Sequence, residues 1–175
     1  MSTLKVNTIQ DTSGNTRPSG ITMIDNWIIT STYNTNSVAN MTSNWARESA
    51  TLSNVGIIGS GMTESSGVFT FPTTGIYLVL GQLYAITNGG GRTYMGMMPQ
   101  ISTDSGSNFT TLLTGYQNGY QNNAYVFLQN AKLVDITNTS THKMRFQTQM
   151  SDNTNVVGSD SNKTTGVTFI RVGDT

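Results

Sequence analysis

Apolar residues in this chain come in short runs, each closed by a cluster of Gly, Asn, Asp, Ser or Pro, and this punctuation limits what the chain can fold into. The runs lie near 24–33 (IDNWIITSTY), 67–72 (GVFTFP), 75–86 (GIYLVLGQLYAI), 92–101 (RTYMGMMPQI), 108–114 (NFTTLLT), 124–136 (AYVFLQNAKLVDI), 142–150 (HKMRFQTQM) and 165–172 (TGVTFIRV), with a weaker one at 54–59 (NVGIIG). Between them stand SSG, TTG, NGGG, DSGSN, NGYQNN, NTST and DNTN, whose residues tolerate turn dihedrals. No segment sustains a helical period. Strands this short at this spacing predict an all-β, antiparallel sandwich. Thr, with 29 copies, is β-branched and suits strands better than helices.

Two strand types can be told apart. Over 143–150, Met144, Phe146, Thr148 and Met150 alternate with Lys143, Arg145, Gln147 and Gln149, which is one buried face and one wet face. Over 75–86 both faces are apolar: Ile76, Leu78 and Leu80 on one, Tyr77, Val79, Leu83 and Ala85 on the other. Such a strand is covered on both sides. Few apolar loops exist to do the covering, so a second copy of the chain is the expected cover, with a loop of the same chain as the alternative. Residues 1–20 stand apart as an arm or linker, in which TLKVNTIQ could make one short strand that needs something to dock on. The remaining residues, 21–175, form the folded domain.

Charge narrows the function classes. Charged residues are 10% of the chain, against roughly 25% in an ordinary soluble domain, and 9 Lys+Arg balance 9 Asp+Glu. Zero net charge supplies no field for holding phosphates, so nucleic acid is a poor partner. No apolar run is long enough to insert through a bilayer as a helix, and MSTLKVNTIQ lacks the pattern of a secretory signal. With no Cys, thiolate chemistry is absent. The single histidine, His142, opens a strand and has no G-x-S-x-G nucleophile elbow to serve. Glu48 and Glu64 are the only glutamates, and no sugar-cleft pattern accompanies them. The chain is therefore expected to be no enzyme, with no catalytic residue, no cofactor and no dedicated metal site. Asp104–Asn108, Asp152–Asn155 and Asp160–Asn162 are oxygen-rich, but they lack EF-hand spacing and read better as Asx turns than as calcium loops.

One surface segment has a binding character. The tandem GYQNGYQNN at 115–123 offers Tyr116 and Tyr120 as flat faces, with Gln117, Asn118, Gln121 and Asn122 as amides. These can stack on a sugar ring and hydrogen-bond its hydroxyls. The competing reading is a polar hairpin whose tyrosines pack on neighbouring loops.

The stretch GVFTFPTTGIY at 67–77 sets Gly67, Phe69, Pro72, Gly75 and Tyr77 in the spacing G-x-F-x-x-P-x-x-G-x-Y. This pattern resembles the signature of the C1q/tumour-necrosis-factor-like jelly roll, and the strand order over 25–172, closing on TGVTFIRV, is similar. The resemblance implies a jelly-roll knob that packs as a homotrimer. It makes Phe69, Tyr77 and Phe169 core residues, and Val79 and Leu83 candidate trimer contacts. Separately, STLKVNTIQDTSG resembles N-terminal segments of tailed-bacteriophage structural proteins. Together the two imply a virion protein, localised on the particle, whose residues 1–20 attach to other virion proteins. A short tail fibre or fibre tip is expected, with a capsid-surface decoration or head fibre as the alternative, and a host-surface polysaccharide as a further candidate partner. A stand-alone carbohydrate-binding module and an envelope-degrading enzyme are the readings from other classes.

Overall fold

A computed structural model describes residues 21–48, 56–160 and 163–175. The expected arm over 1–20 lies outside them, as do parts of the weak strand at 54–59 and of the 160–162 loop. The described residues form two antiparallel sheets packed face to face, with no helix. The expected all-β sandwich is what forms.

The first sheet holds β1 (Met23–Ile29), β2 (Tyr33–Thr35), β4 (Trp45–Arg47), β5 (Ile57–Ile58), β8 (Gly75–Thr87), β12 (Tyr125–Ile136), β14 (Thr154–Val156) and β15 (Gly166–Gly173). Its centre is β8, flanked on one side by β12 and on the other, end to end, by β14 and β15. Beyond β15 come β1 and then β4 and β5. The second sheet holds β3 (Val38–Asn40), β6 (Thr63–Ser65), β7 (Val68–Thr70), β9 (Arg92–Ser102), β10 (Thr110–Thr111), β11 (Gln117–Gly119) and β13 (Lys143–Met150). Here β13 lies between β9 and the short strands β7 and β3.

The core between the sheets is aromatic. Trp27, Trp45, Phe69, Phe146 and Phe169 meet mostly edge to face at centroid distances of 5.2–6.2 Å, and Phe71 packs on Tyr77 at 4.9 Å. Such geometry suits the ring quadrupoles. The 67–77 motif sits at the centre of this core. Gly67 has φ +79°, and a Cβ there would lie 2.1 Å from the Met41 carbonyl oxygen, so only glycine fits. Phe69 and Tyr77 are fully buried. The Tyr77 hydroxyl donates to the Thr73 carbonyl at 2.9 Å, which locks the turn that follows Pro72. Phe169 is also fully buried on β15.

Several strand limits differ from the sequence expectation. The run 24–33 is not continuous: β1 stops at Ile29, whose carbonyl accepts the Ser159 N–H at 2.8 Å, and Tyr33 then pairs with β14 instead. The run 108–114 contributes only Thr110–Thr111. Two segments of turn-like composition carry short strands, Gln117–Gly119 running into NGYQNN and Thr154–Val156 overlapping DNTN. Where β14 hands over to β15, the buried Thr165 fills the gap. Its hydroxyl donates to the Tyr84 carbonyl at 3.1 Å and accepts the Tyr84 N–H at 3.1 Å.

The phase of β8 corrects a second expectation. Val79 and Leu83 point inward, 1% and 0% exposed, and belong to the core of the single chain. They are not available to a partner. The opposite face, carrying Ile76, Leu78, Leu80, Gln82, Tyr84 and Ile86, is the outer one.

Candidate interaction surfaces

The outer face of the first sheet is ordered in rows, because residues paired in register project to the same side. One row runs Ile58–Ile24–Ile170–Leu78–Leu133 across β5, β1, β15, β8 and β12. Five aliphatic side chains in line cover roughly 19 Å at the usual strand spacing. Ile58 and Leu133 are 45% and 60% exposed. Toward the other end, Tyr84 pairs with Phe127 and Ile86 with Tyr125, and the Tyr84 and Tyr125 rings stack at 5.8 Å. Tyr125 and Phe127 are both more than half exposed.

Between the two apolar ends lies a polar belt. It surrounds a cleft of about 400 Å³ lined by Leu80, Gln82, Gln129, Asn130, Lys163 and Thr168. Gln82 donates to the carbonyls of Lys163 and Thr164 at 3.1 and 2.7 Å, and the Thr168 hydroxyl donates to Asn26 Oδ1 at 2.6 Å. Burial pushes the Lys163 ammonium below the usual lysine range, and the charge of Glu48 opposes that shift. The apolar character of both faces of β8 was legible in the sequence, but the trimer contacts were expected at Val79 and Leu83, which lie on the inner face. Gln82, on the same face as Leu78 and Leu80, was the available signal.

The tyrosine segment is divided by the structure. Tyr116 donates its hydroxyl to Gln149 Oε1 at 2.6 Å and packs edge to face on Tyr94 at 5.3 Å. Tyr120 is 86% exposed, and Asn118 Nδ2 donates to its hydroxyl at 2.8 Å. Gln117 lies at the start of β11 and is exposed. Gln121 and Asn122 act through the loop's own bracing: the Gln121 carbonyl accepts the Thr87 hydroxyl at 2.5 Å, and Asn122 Oδ1 accepts the Gly89 N–H at 2.8 Å. Tyr116 and Tyr120 therefore have different surroundings, one engaged and one open.

The oxygen-rich loop at 104–108 satisfies itself. The Asp104 carboxylate accepts the Asn108 N–H at 2.9 Å, the Ser102 hydroxyl at 2.7 Å and Asn108 Nδ2 at 2.7 Å. These donors, the Asn108 backbone first, hold its pKa down at about 2. A carboxylate ringed by donors is the Asx-turn arrangement rather than a cation cradle. His142 sits in the turn that leads into β13, with Nδ1 2.9 Å from the Asn138 carbonyl oxygen. Among the described residues, no three of His, Cys, Asp and Glu converge as metal ligands would, and no helix is long and apolar enough to cross a membrane.

No protein-family model and no curated protein matches the sequence. Solved structures do match the fold. The tumour necrosis factor Eiger from S. frugiperda superposes with a TM-score of 0.65 at 12% identity, over 89% of this chain and 95% of that one. Murine APRIL at pH 5.0 superposes with a TM-score of 0.59 at 15% identity, over 86% of this chain and 98% of that one. Another murine APRIL structure, at pH 8.5, gives 0.55 at the same identity. The architecture is therefore the jelly roll of the tumour-necrosis-factor kind, as the 67–77 motif implied. At these identities the likeness concerns the fold.

Proposed function

We propose that the chain is a non-enzymatic structural protein of a bacteriophage particle, a homotrimeric knob of a short tail fibre or fibre tip. The observation that carries the self-association is the aliphatic row from Ile58 to Leu133 with the aromatic group of Tyr84, Tyr125 and Phe127 beside it. Apolar side chains ordered across five strands lose hydration cost when another surface covers them. Among the described residues β12, a strand of 12 residues, pairs only with β8, and long unpaired edges favour pairing or cover. A second copy offers a matching apolar face. The jelly-roll fold supports a closed trimer over a simple dimer, and the likeness of STLKVNTIQDTSG to phage structural proteins supports attachment to the particle through residues 1–20.

The self-association is tested by light scattering on the full chain. A trimer is expected, and Leu133→Asp should yield a folded monomer, because an exposed carboxylate is cheap on a free surface and costly in an apolar contact. A monomeric wild type would sink the assembly. Placement is tested by gold-labelled antibody on purified particles. Label at the tail supports the fibre reading, label on the capsid moves the knob to a surface decoration, and unlabelled particles reject a virion role.

A further inference from the structure

We propose that the cleft beside Tyr120 binds a single neutral sugar unit, a function beyond the assembly role above. The cleft measures about 240 Å³ and is lined by Gly91, Arg92, Thr93, Asn118, Gly119 and Tyr120. That is below the ~300–1,000 Å³ typical of drug-sized ligands, and it suits one pyranose ring rather than a larger molecule. Tyr120 supplies the aromatic face that a sugar ring's C–H side stacks on. The ring is 86% exposed while Asn118 Nδ2 donates to its hydroxyl, so its face is open and its tip is held.

The platform is built before any ligand arrives. Thr87 clamps the loop from below, giving its hydroxyl to the Gln121 carbonyl at 2.5 Å and accepting the Ala124 N–H at 2.9 Å. Asn122 ties it to Gly89 in the neighbouring hairpin. The floor has no side chains in the way: a Cβ on Gly91 would lie 2.6 Å from the Tyr120 carbonyl oxygen, so the two loops meet backbone to backbone. A loop already fixed in this way lowers the ordering cost of binding.

The chemistry of the cleft selects against an anion. Arg92 is 6% exposed and three of its five N–H groups are given to carbonyls: Nε to Asn153 at 2.7 Å, Nη1 to Gly91 at 2.8 Å and Nη2 to Asn88. Asp152 lies 3.9 Å from Nη1 and offsets its charge. The groups left for a ligand are neutral: the Asn118 amide, the Thr93 hydroxyl, the Tyr120 hydroxyl and backbone. Those recognise hydroxyls. Tyr116 takes no part, because its ring and hydroxyl are committed to Tyr94 and Gln149.

Saturation-transfer NMR on the full chain tests this, with methyl α-glucopyranoside, methyl β-galactopyranoside and N-acetylglucosamine as probes and glucuronate as the anionic comparator. At least one neutral sugar should bind in the millimolar range, more tightly than glucuronate. Tyr120→Ala should weaken binding about tenfold or more, while Tyr120→Phe keeps most of it. Silence from all three neutral sugars overturns the proposal. So does equal binding by Tyr120→Ala, or a preference for glucuronate. If Tyr120→Ala instead breaks up the oligomer in light scattering, Tyr120 is a subunit contact and the sugar site is rejected. A monomeric wild type that binds sugar through Tyr120 keeps this site while removing the trimer, so the two readings fail separately.

Discussion

At the residue scale, Asp25 shows how a chain of low charge uses one of its few carboxylates. Asp25 is fully buried and its two oxygens accept four donors. These are Arg47 Nε at 2.7 Å, Arg47 Nη2 at 3.1 Å, Trp27 Nε1 at 2.9 Å and the Met62 N–H at 2.6 Å. Arg47 also lies over the Trp27 ring at 4.7 Å and donates to the Met62 carbonyl at 2.8 Å. The cluster fastens β4 and the segment at Met62 onto β1. Asp25→Asn keeps the size but turns an acceptor toward donors into an NH₂ group, and it leaves Arg47 without its counter-charge. Because the Arg47 side chain stays 35% exposed and keeps part of its hydration, the cost belongs at the low end for a broken buried pair, about 3 kcal/mol. Urea unfolding measures it, and a loss below about 1 kcal/mol would show that the charge is dispensable. Asp25 shares its phase with Met23, Trp27 and Ile29, but Ile24 and Ile28 make the opposite phase as apolar, so alternation alone did not mark it as buried. Its partner was hidden as well, because nothing local connects residues 22 apart in the chain.

At the element scale, what the sequence reveals depends on how different the two faces of a strand are. β13 alternates cleanly, and its buried residues Met144, Phe146, Thr148 and Met150 are those the alternation predicts. β8 and β12 carry apolar residues on both faces, so alternation alone fits either phase. The phase is set by which neighbours each face meets in the other sheet, a long-range fact. β14 was hidden for another reason: three residues within Asn- and Asp-rich sequence resemble a turn until Thr154 and Val156 are seen to be buried. The inner face also explains a glycine. Gly81 lies in the middle of β8, and a Cβ there would meet Asn130 Oδ1 at 2.4 Å and Met97 Cε at 2.8 Å. The room it leaves is used by Asn130 of β12, whose Nδ2 donates to the Met97 carbonyl of β9 at 2.9 Å. That bond joins the two sheets where β9 is bare between its pairings with β10 and β11. Gly81→Val would displace the Asn130 amide and overpack the interior, costing about 2 kcal/mol. Thermal unfolding of the variant checks this. Unchanged stability would mean that Asn130 relocates freely and that the cross-sheet bond contributes little.

At the scale of the whole molecule, the scarcity of charge and the rows on the outer sheet face bear on the same property. Thr, Ser, Asn and Gly make up nearly half the chain, with 29, 18, 18 and 18 copies. They fill turns and solvent-facing strand positions that most proteins give to charged residues. The outer face follows suit, with aliphatic and aromatic ends around a belt of amides and hydroxyls in which Lys163 is the one cation among the described residues lining the cleft. Among the described residues, the ion pairs Arg92–Asp152 and Arg171–Asp174 lie outside the rows that define this face. The association proposed through these rows would be driven by hydrophobic burial and neutral hydrogen bonds, neither of which salt screens. Raising NaCl from about 0.1 to 1 M shortens the screening length from roughly 10 to 3 Å and weakens contacts that rely on exposed charge. The trimer population measured by light scattering should therefore hold steady across that range, while Leu133→Asp stays monomeric throughout. Dissociation with salt would place the contact on charged groups and move the interface away from the Ile58–Leu133 row. A salt-indifferent oligomer would tie the neutral composition to assembly, because a surface with few charges keeps most of its contacts as the ionic strength around it changes.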